Sequence, residues 1–202
     1  MSSGHAVSTD NTVSTKRTMS TNHAVFTDHT AESAPPASRR VMSATERHLG
    51  YLPAATARMA ESPHLLDSVM TLIGTFDGCT LDPLAREVLV MTIATRNGCH
   101  VCIAMHTARL VPMGADPALV AALRTGPGEP LADPRLQAIR AFTLRVLETA
   151  GDVGGDALGE FLAHGYTPRN ALEVVLGVGT YTMTTLANRL TQAPVDGPMA
   201  ES

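Results

Sequence analysis

The stretch Asn97-Gly98-Cys99-His100-Val101-Cys102-Ile103-Ala104-Met105-His106 decides how the rest of the chain is interpreted. It places two thiols three residues apart, and a histidine follows the second thiol by four residues. Residues three and four apart share one face of an α-helix, so Cys99, Cys102 and His106 are expected to form one stripe. That stripe combines a dithiol that can close into a disulfide with a base that can accept a proton from sulfur.

The sequence on both sides of this stretch predicts helices. Gly98 is able to end one helix, because glycine tolerates the left-handed conformation, and Cys99 would then begin the next. Elsewhere a capping residue is followed directly by proline, which is the signal of a helix start. Five pairs carry it: Ser62-Pro63, Asp82-Pro83, Asp116-Pro117, Asp133-Pro134 and Thr167-Pro168. Apolar residues also recur at helical spacing, so we predict an all-α bundle.

Composition limits the organisation and the partners of the chain. Its 202 residues suffice for one domain. Residues 1–40 are rich in Ser and Thr without an apolar period, and we predict a disordered tail there and a single all-α domain over 41–202. The net charge of −4 does not indicate nucleic acid, and no apolar run reaches membrane-spanning length. The only lysine, Lys16, lies in the tail, which excludes a Schiff-base lysine in the domain.

The cysteine pattern indicates redox chemistry in a reducing compartment. Three cysteines without a secretory signal do not form an extracellular disulfide framework, so we expect a cytoplasmic protein whose close Cys pair is catalytic. In the predicted cycle the Cys102 thiolate attacks a hydroperoxide and becomes a sulfenic acid. Cys99 resolves it into a disulfide, and an external dithiol reduces that disulfide. His106 accepts the Cys102 proton and Glu87 orients the imidazole, while His100 is a possible modulator of thiolate charge.

Three other interpretations fit the same residues. The two thiols are inert and buried in the first. In the second they form half of a zinc site with His106 and Cys79, although a single Cys-x-x-Cys is a weak zinc signal. In the third the protein is a non-catalytic redox-responsive binding protein.

The run from Arg86 to His106 resembles the core of the AhpD-like alkylhydroperoxidase and carboxymuconolactone decarboxylase superfamily. The interval from Glu87 to the first cysteine, the Cys-x-x-Cys and the following histidine all match. The run 181–189 looks like the superfamily's C-terminal helix, and 49–82 looks like its N-terminal helical extension, so the resemblance covers most of 45–195.

This resemblance implies an all-α fold that assembles into a homo-oligomer, a trimer or a hexamer. It gives peroxidatic, resolving, base and acid roles to Cys102, Cys99, His106 and Glu87. No bound cofactor is implied, and electrons come from a lipoyl-bearing or similar dithiol protein. The peroxidase pattern has a histidine where this chain has Val101. The decarboxylase branch generally lacks the Cys pair, which argues against lactone decarboxylation, and that activity is kept as the alternative.

Overall fold

The computed structural model describes residues 25–128 and 130–197, and every regular element in those residues is an α-helix. The all-α prediction is therefore confirmed. Among the helices of the described residues, none is both long enough and apolar enough to cross a membrane. In chain order the helices are α1 Pro36–Leu49, α2 Ala54–Met59, α3 Pro63–Asp77, α4 Pro83–Arg96, α5 His100–Leu110, α6 Pro117–Thr125, α7 Pro134–Glu148, α8 Gly155–Ala163 and α9 Pro168–Thr191.

All five predicted capping pairs begin helices, which are α3, α4, α6, α7 and α9. In each, the Ser, Asp or Thr side chain accepts a hydrogen bond from a backbone N–H of the first turn, and proline occupies the first helical position. These N–H groups have no partner inside the helix, so the cap satisfies them. At α9 the Asn170 side chain also accepts from the Thr167 backbone, which completes a reciprocal capping box.

Helix α4 is the central element of the fold. It packs against α5, α6, α7 and α9, and its residues from Glu87 to Ala94 are all buried. A large apolar cluster joins α4 to α6, α7, α8 and α9. A second cluster joins the first three helices to Ala94, Cys99, Val101, Cys102 and Ala187. The thiol pair thus lies under the N-terminal helices rather than on the outer surface.

The prediction that the disordered tail extends to residue 40 is wrong for its last residues. Helix α1 begins at Pro36, and Ser38 is buried and donates to the Ala60 carbonyl at 2.7 Å. Before the helix, Asp28 accepts from Arg58 at 2.6 Å. The polar composition of this segment did not indicate its order, because that order comes from contacts with a distant part of the chain. Residues 1–24 lie outside the described residues, and their disorder stays a prediction.

Gly177 lies where α9 packs closely against Phe76 and Leu89, and its replacement tests this packing. A Cβ added there would lie 2.6 Å from Phe76 Cε2 and 2.8 Å from Leu89 Cδ2. We expect G177A to lower the free energy of unfolding by about 1–3 kcal/mol, because the core is overpacked. Gly179 on the same helix has nothing within 4 Å, so G179A should gain up to about 1 kcal/mol from helix propensity. Equal stability of the two variants in urea unfolding would contradict this packing.

Candidate active site

The turn between α4 and α5 places the first thiol at a helix start. Asn97 ends α4, Gly98 adopts a positive φ of 62°, and Cys99 is the N-cap of α5. The Cys99 sulfur accepts a hydrogen bond from the Cys102 backbone N–H at 3.4 Å. The predicted helix–glycine–cysteine arrangement is therefore confirmed. A sulfur atom takes the position where serine or aspartate usually caps a helix, facing the positive end of the helix dipole.

The two sulfur atoms lie 2.8 Å apart, and neither cysteine is in a disulfide. The residues are 1% and 3% exposed. A disulfide requires about 2.05 Å between the sulfurs, so only a small approach separates the thiol pair from a bonded pair. The predicted proximity of Cys99 and Cys102 is present in the structure.

One negative charge is stabilised on this pair. Hydrogen bonding from the Cys102 thiol, together with the Cys102 backbone N–H, Asn188 and the Arg189 charge, lowers the pKa of Cys99 to about 7 despite burial. Donation to Cys99 and burial raise the pKa of Cys102. A pKa near 7 means that about half of the pairs have lost one proton at pH 7, and the resulting charge rests mainly on Cys99. The spacing to His106 pointed instead to Cys102 as the attacking thiolate, and the assignment of that role stays a prediction.

The predicted acid and base are in direct contact and buried. Nδ1 of His106 lies 2.6 Å from Oε2 of Glu87, and the residues are 3% and 5% exposed. Burial alone would raise the pKa of Glu87, but the His106 hydrogen bond and the charges of His106, Arg109 and Arg86 lower it. The carboxylate is thus the acceptor and Nδ1 the donor, which orients the ring and leaves Nε2 for proton exchange. His106 lies one helical turn after Cys102 on α5.

Tyr181 of α9 connects the two parts of the site. Its ring meets the His106 ring edge-on, with centroids 5.4 Å apart. Burial raises the pKa of Tyr181, and the negative charges of Asp77, Glu87 and Cys102 add to this effect. The phenol therefore stays neutral in a region where the acid and the thiol both act electrostatically.

The other predicted residues lie apart from this group. His100 is the first residue of α5 and is exposed, so it does not join the buried acid–base pair. Cys79 packs against the larger apolar cluster, whereas the thiol pair belongs to the second. Within residues 25–128 and 130–197, no three His, Cys, Asp or Glu side chains are grouped so as to hold a metal ion. The zinc interpretation gains no support from this arrangement.

Sequence reasoning missed the contribution of α9. The Asn188 amide nitrogen lies 3.4 Å from the Cys102 sulfur and 3.9 Å from the Cys99 sulfur. Arg189 donates to the Asn97 carbonyl, directly before the turn that leads to Cys99. The only available signal was the helical spacing of Tyr181 and Asn188, which are seven residues apart and share a face. That spacing did not indicate which other helix the face contacts.

Residues 60–144 match the profile of the carboxymuconolactone decarboxylase family, and the segment contains the predicted acid, both thiols and the predicted base. No curated protein matches the chain. Solved structures share its fold. One is an uncharacterised peroxidase-related protein with an alkylhydroperoxidase AhpD core from Ralstonia eutropha JMP134, with a TM-score of 0.76 and 16% identity over 86% of this chain and 93% of that one.

Two further structures extend the likeness. A peroxidase-related protein from Silicibacter sp. TM1040 has a TM-score of 0.68 and 18% identity, over 81% of this chain and 87% of its own. The debrominase Bmp8 has a TM-score of 0.69 and 16% identity, over 88% of this chain and 95% of its own. At these identities the structures share the fold. Together with the family match over residues 60–144, they support the predicted resemblance to the AhpD-like and carboxymuconolactone decarboxylase superfamily.

Proposed function

We propose that the chain is a thiol-dependent peroxidase that acts on small hydroperoxides through Cys99 and Cys102. The contact that carries this proposal is the 2.8 Å approach of the two sulfurs, which share one proton at a helix start. A thiol attacks as its thiolate, and attack is most effective when its pKa lies near the ambient pH. The pair meets this condition without a metal or a bound cofactor.

The oxidative half of the reaction uses the acid–base pair. Transfer of the shared proton from Cys102 to Cys99 puts the charge on Cys102, the sulfur four residues before His106. The Cys102 thiolate then attacks the hydroperoxide, so a sulfur–oxygen bond forms and the oxygen–oxygen bond breaks. The alkoxide that leaves takes a proton from His106. This is the proton that His106 accepted when the thiol pair ionised, and Glu87 stabilises the imidazolium until it is given up. The products of this step are the Cys102 sulfenic acid and an alcohol.

Resolution and reduction complete the cycle. The Cys99 thiol attacks the sulfenic sulfur, a disulfide forms, and the displaced hydroxyl leaves with the thiol proton as water. Two thiols and one hydroperoxide thus give one disulfide, one alcohol and one water. An external dithiol protein, of the lipoyl-bearing kind that superfamily members use, returns the disulfide to two thiols. A reducing cytoplasm is the compartment that suits this exchange.

Burial of the site favours a small, weakly polar substrate. Both thiols lie beneath the apolar cluster of the first three helices, so a substrate reaches them only when side chains of this layer move. Val101, which replaces the histidine of the peroxidase pattern, is buried in the same cluster. His106 is the only buried histidine among the described residues, and it therefore carries the proton transfers alone. A small, weakly polar hydroperoxide fits this environment better than a charged one.

Lactone decarboxylation is the second candidate, and the family match favours it. Glu87 and His106 would then transfer protons to and from a lactone, and neither thiol would be needed. A structure of Bmp8 contains 2,3,4-tribromopyrrole, so a brominated pyrrole also belongs among the compounds to be assayed. A binding protein that only senses redox state would form the disulfide without turnover.

Single cysteine variants test the proposed function. With an organic hydroperoxide and dithiothreitol, C102S should lose turnover by at least about a hundredfold, because the attacking sulfur is absent. C99S should lose turnover too, and when dithiothreitol is left out it should accumulate a Cys102 sulfenic acid that a diketone reagent traps. C79S should match the wild type. Mass spectrometry of the trapped protein locates the modified residue.

Each alternative gives a different outcome in the same series. Full peroxide consumption by C102S would reject the proposal, and a trapped sulfenic acid on Cys99 in that variant would reverse the two roles. Lactone decarboxylation that survives in C99S/C102S but disappears in H106A would establish the second candidate.

We also propose that the protein is a homo-oligomer that associates through one face of α9. Four large apolar residues at helical spacing are exposed there: Leu172, Val175, Leu186 and Leu190. Val175, Leu186 and Leu190 border an apolar groove of about 920 Å³ that residues of α3, α7 and α9 line. Contiguous apolar surface of this kind is uncommon on a monomer and is typical of protein interfaces. A second copy of the chain would present the same helix and the same groove, so the contact is self-complementary.

Substitutions that introduce charged side chains on this face of α9 test the proposed oligomer. V175E/L186E should convert the wild-type oligomer to a monomer in analytical ultracentrifugation, because two carboxylates would be buried without partners. V111E is the matched control, since Val111 is equally apolar and 67% exposed but follows α5. A monomeric wild type, or dissociation by V111E alone, would contradict this interface.

A further inference from the structure

The Asn188 side chain is the polar group of α9 that faces the thiol pair. Its amide nitrogen lies within hydrogen-bonding reach of both sulfurs, closer to Cys102 at 3.4 Å than to Cys99 at 3.9 Å. The residue is 5% exposed, so water does not compete for the amide. A buried donor that approaches two sulfurs stabilises negative charge on either of them.

The other end of the same amide strengthens this interpretation. Asn188 Oδ1 is buried and has no hydrogen-bond partner. A buried acceptor without a partner costs free energy, yet the side chain keeps the orientation that directs its nitrogen at the sulfurs. The reverse orientation would place oxygen lone pairs against a thiolate, which electrostatic repulsion disfavours.

The neighbours of Asn188 fix its position without using its side chain. The Asn97 amide donates to Thr185 Oγ1 at 2.8 Å, and Arg189 donates to the Asn97 carbonyl. These contacts hold the last turns of α9 against the residue two positions before Cys99. Replacement of Asn188 leaves both of these hydrogen bonds in place, so α9 should keep its position against the turn between α4 and α5.

We propose that Asn188 is a positioning residue of the thiol site, whose amide nitrogen holds the single negative charge on the Cys99–Cys102 pair. The amide spans both sulfurs, so it stabilises the charge before and after the proton moves between them. This inference rests on the proposed function in one respect, that the pair reacts as a thiolate. Asn188 itself exchanges no proton and forms no bond with substrate.

The test is a pH titration of thiolate absorbance in the ultraviolet, in the full chain with C79S to remove the third thiol. The unaltered pair should titrate with a midpoint near 7, as the lowered pKa of Cys99 requires. N188L keeps the size of the side chain but removes the donor, and its midpoint should rise by about half a pH unit or more. N188D puts a carboxylate beside the sulfurs, and its midpoint should rise further than that of N188L.

N170L is the matched control, because Asn170 is also buried on α9. It lies eighteen residues before Asn188, which is roughly 27 Å along the helix. N170L should lose thermal stability without a change in the thiol midpoint. A midpoint in N188L equal to that of the wild type, or an equal rise in N170L, would overturn the proposal. If N188L does not fold by circular dichroism, N188D decides the question by the same criterion.

The reaction rate separates this inference from the proposed function. Below pH 7 the N188L rate with a thiol-alkylating reagent should fall several-fold, and above pH 9 it should approach the wild-type rate, since excess base ionises both proteins. This probe does not require peroxidase activity. If the wild type does not reduce hydroperoxides but N188L still shows the expected shift, the peroxidase proposal is rejected and the role of Asn188 is retained.

Discussion

The whole site depends on one shared proton between two sulfur atoms at the start of α5. The contact at 2.8 Å exists because Cys99 caps the helix from outside while Cys102 lies inside its first turn. The capping sulfur accepts the helix N–H group, and once Cys99 is ionised it also accepts the proton of the neighbouring Cys102 thiol, which lowers the pKa of Cys99 and raises that of Cys102. Burial opposes ionisation of such a pair, and these donors outweigh it for Cys99. The pKa of Cys99 is thereby held near 7, so the pair loses one proton close to neutral pH.

Helix α4 brings the remaining chemistry to this point. Because the residues of α4 from Glu87 to Ala94 are all buried, its one acidic side chain lies in the interior, where it needs a hydrogen-bonding partner. His106 supplies that partner at 2.6 Å, and the partnership fixes the ring one turn after Cys102. The same buried environment also limits what can reach the sulfurs.

The sequence was sufficient for the features that local physics determines. Capping residues followed by proline predicted five helix starts, and the position of Gly98 predicted the turn that leads to Cys99. The contact between Glu87 and His106 was expected only if two helices folded back on each other, and they do. Residues whose role depends on tertiary packing were missed, above all Asn188 and Tyr181. The order of residues 36–40 was missed for the same reason, since it arises from distant contacts and not from local composition.

The most direct test of the account is peptide mapping after one equivalent of hydroperoxide. Trypsin cleaves after Arg96 and Arg109, so both thiols of the pair fall in the single peptide 97–109. If the thiol pair is the site of peroxide reduction, this peptide loses two hydrogen atoms and resists alkylation, and a dithiol restores both its mass and its alkylatable thiols. An unchanged peptide with two alkylatable thiols, after the peroxide has been consumed, would contradict it.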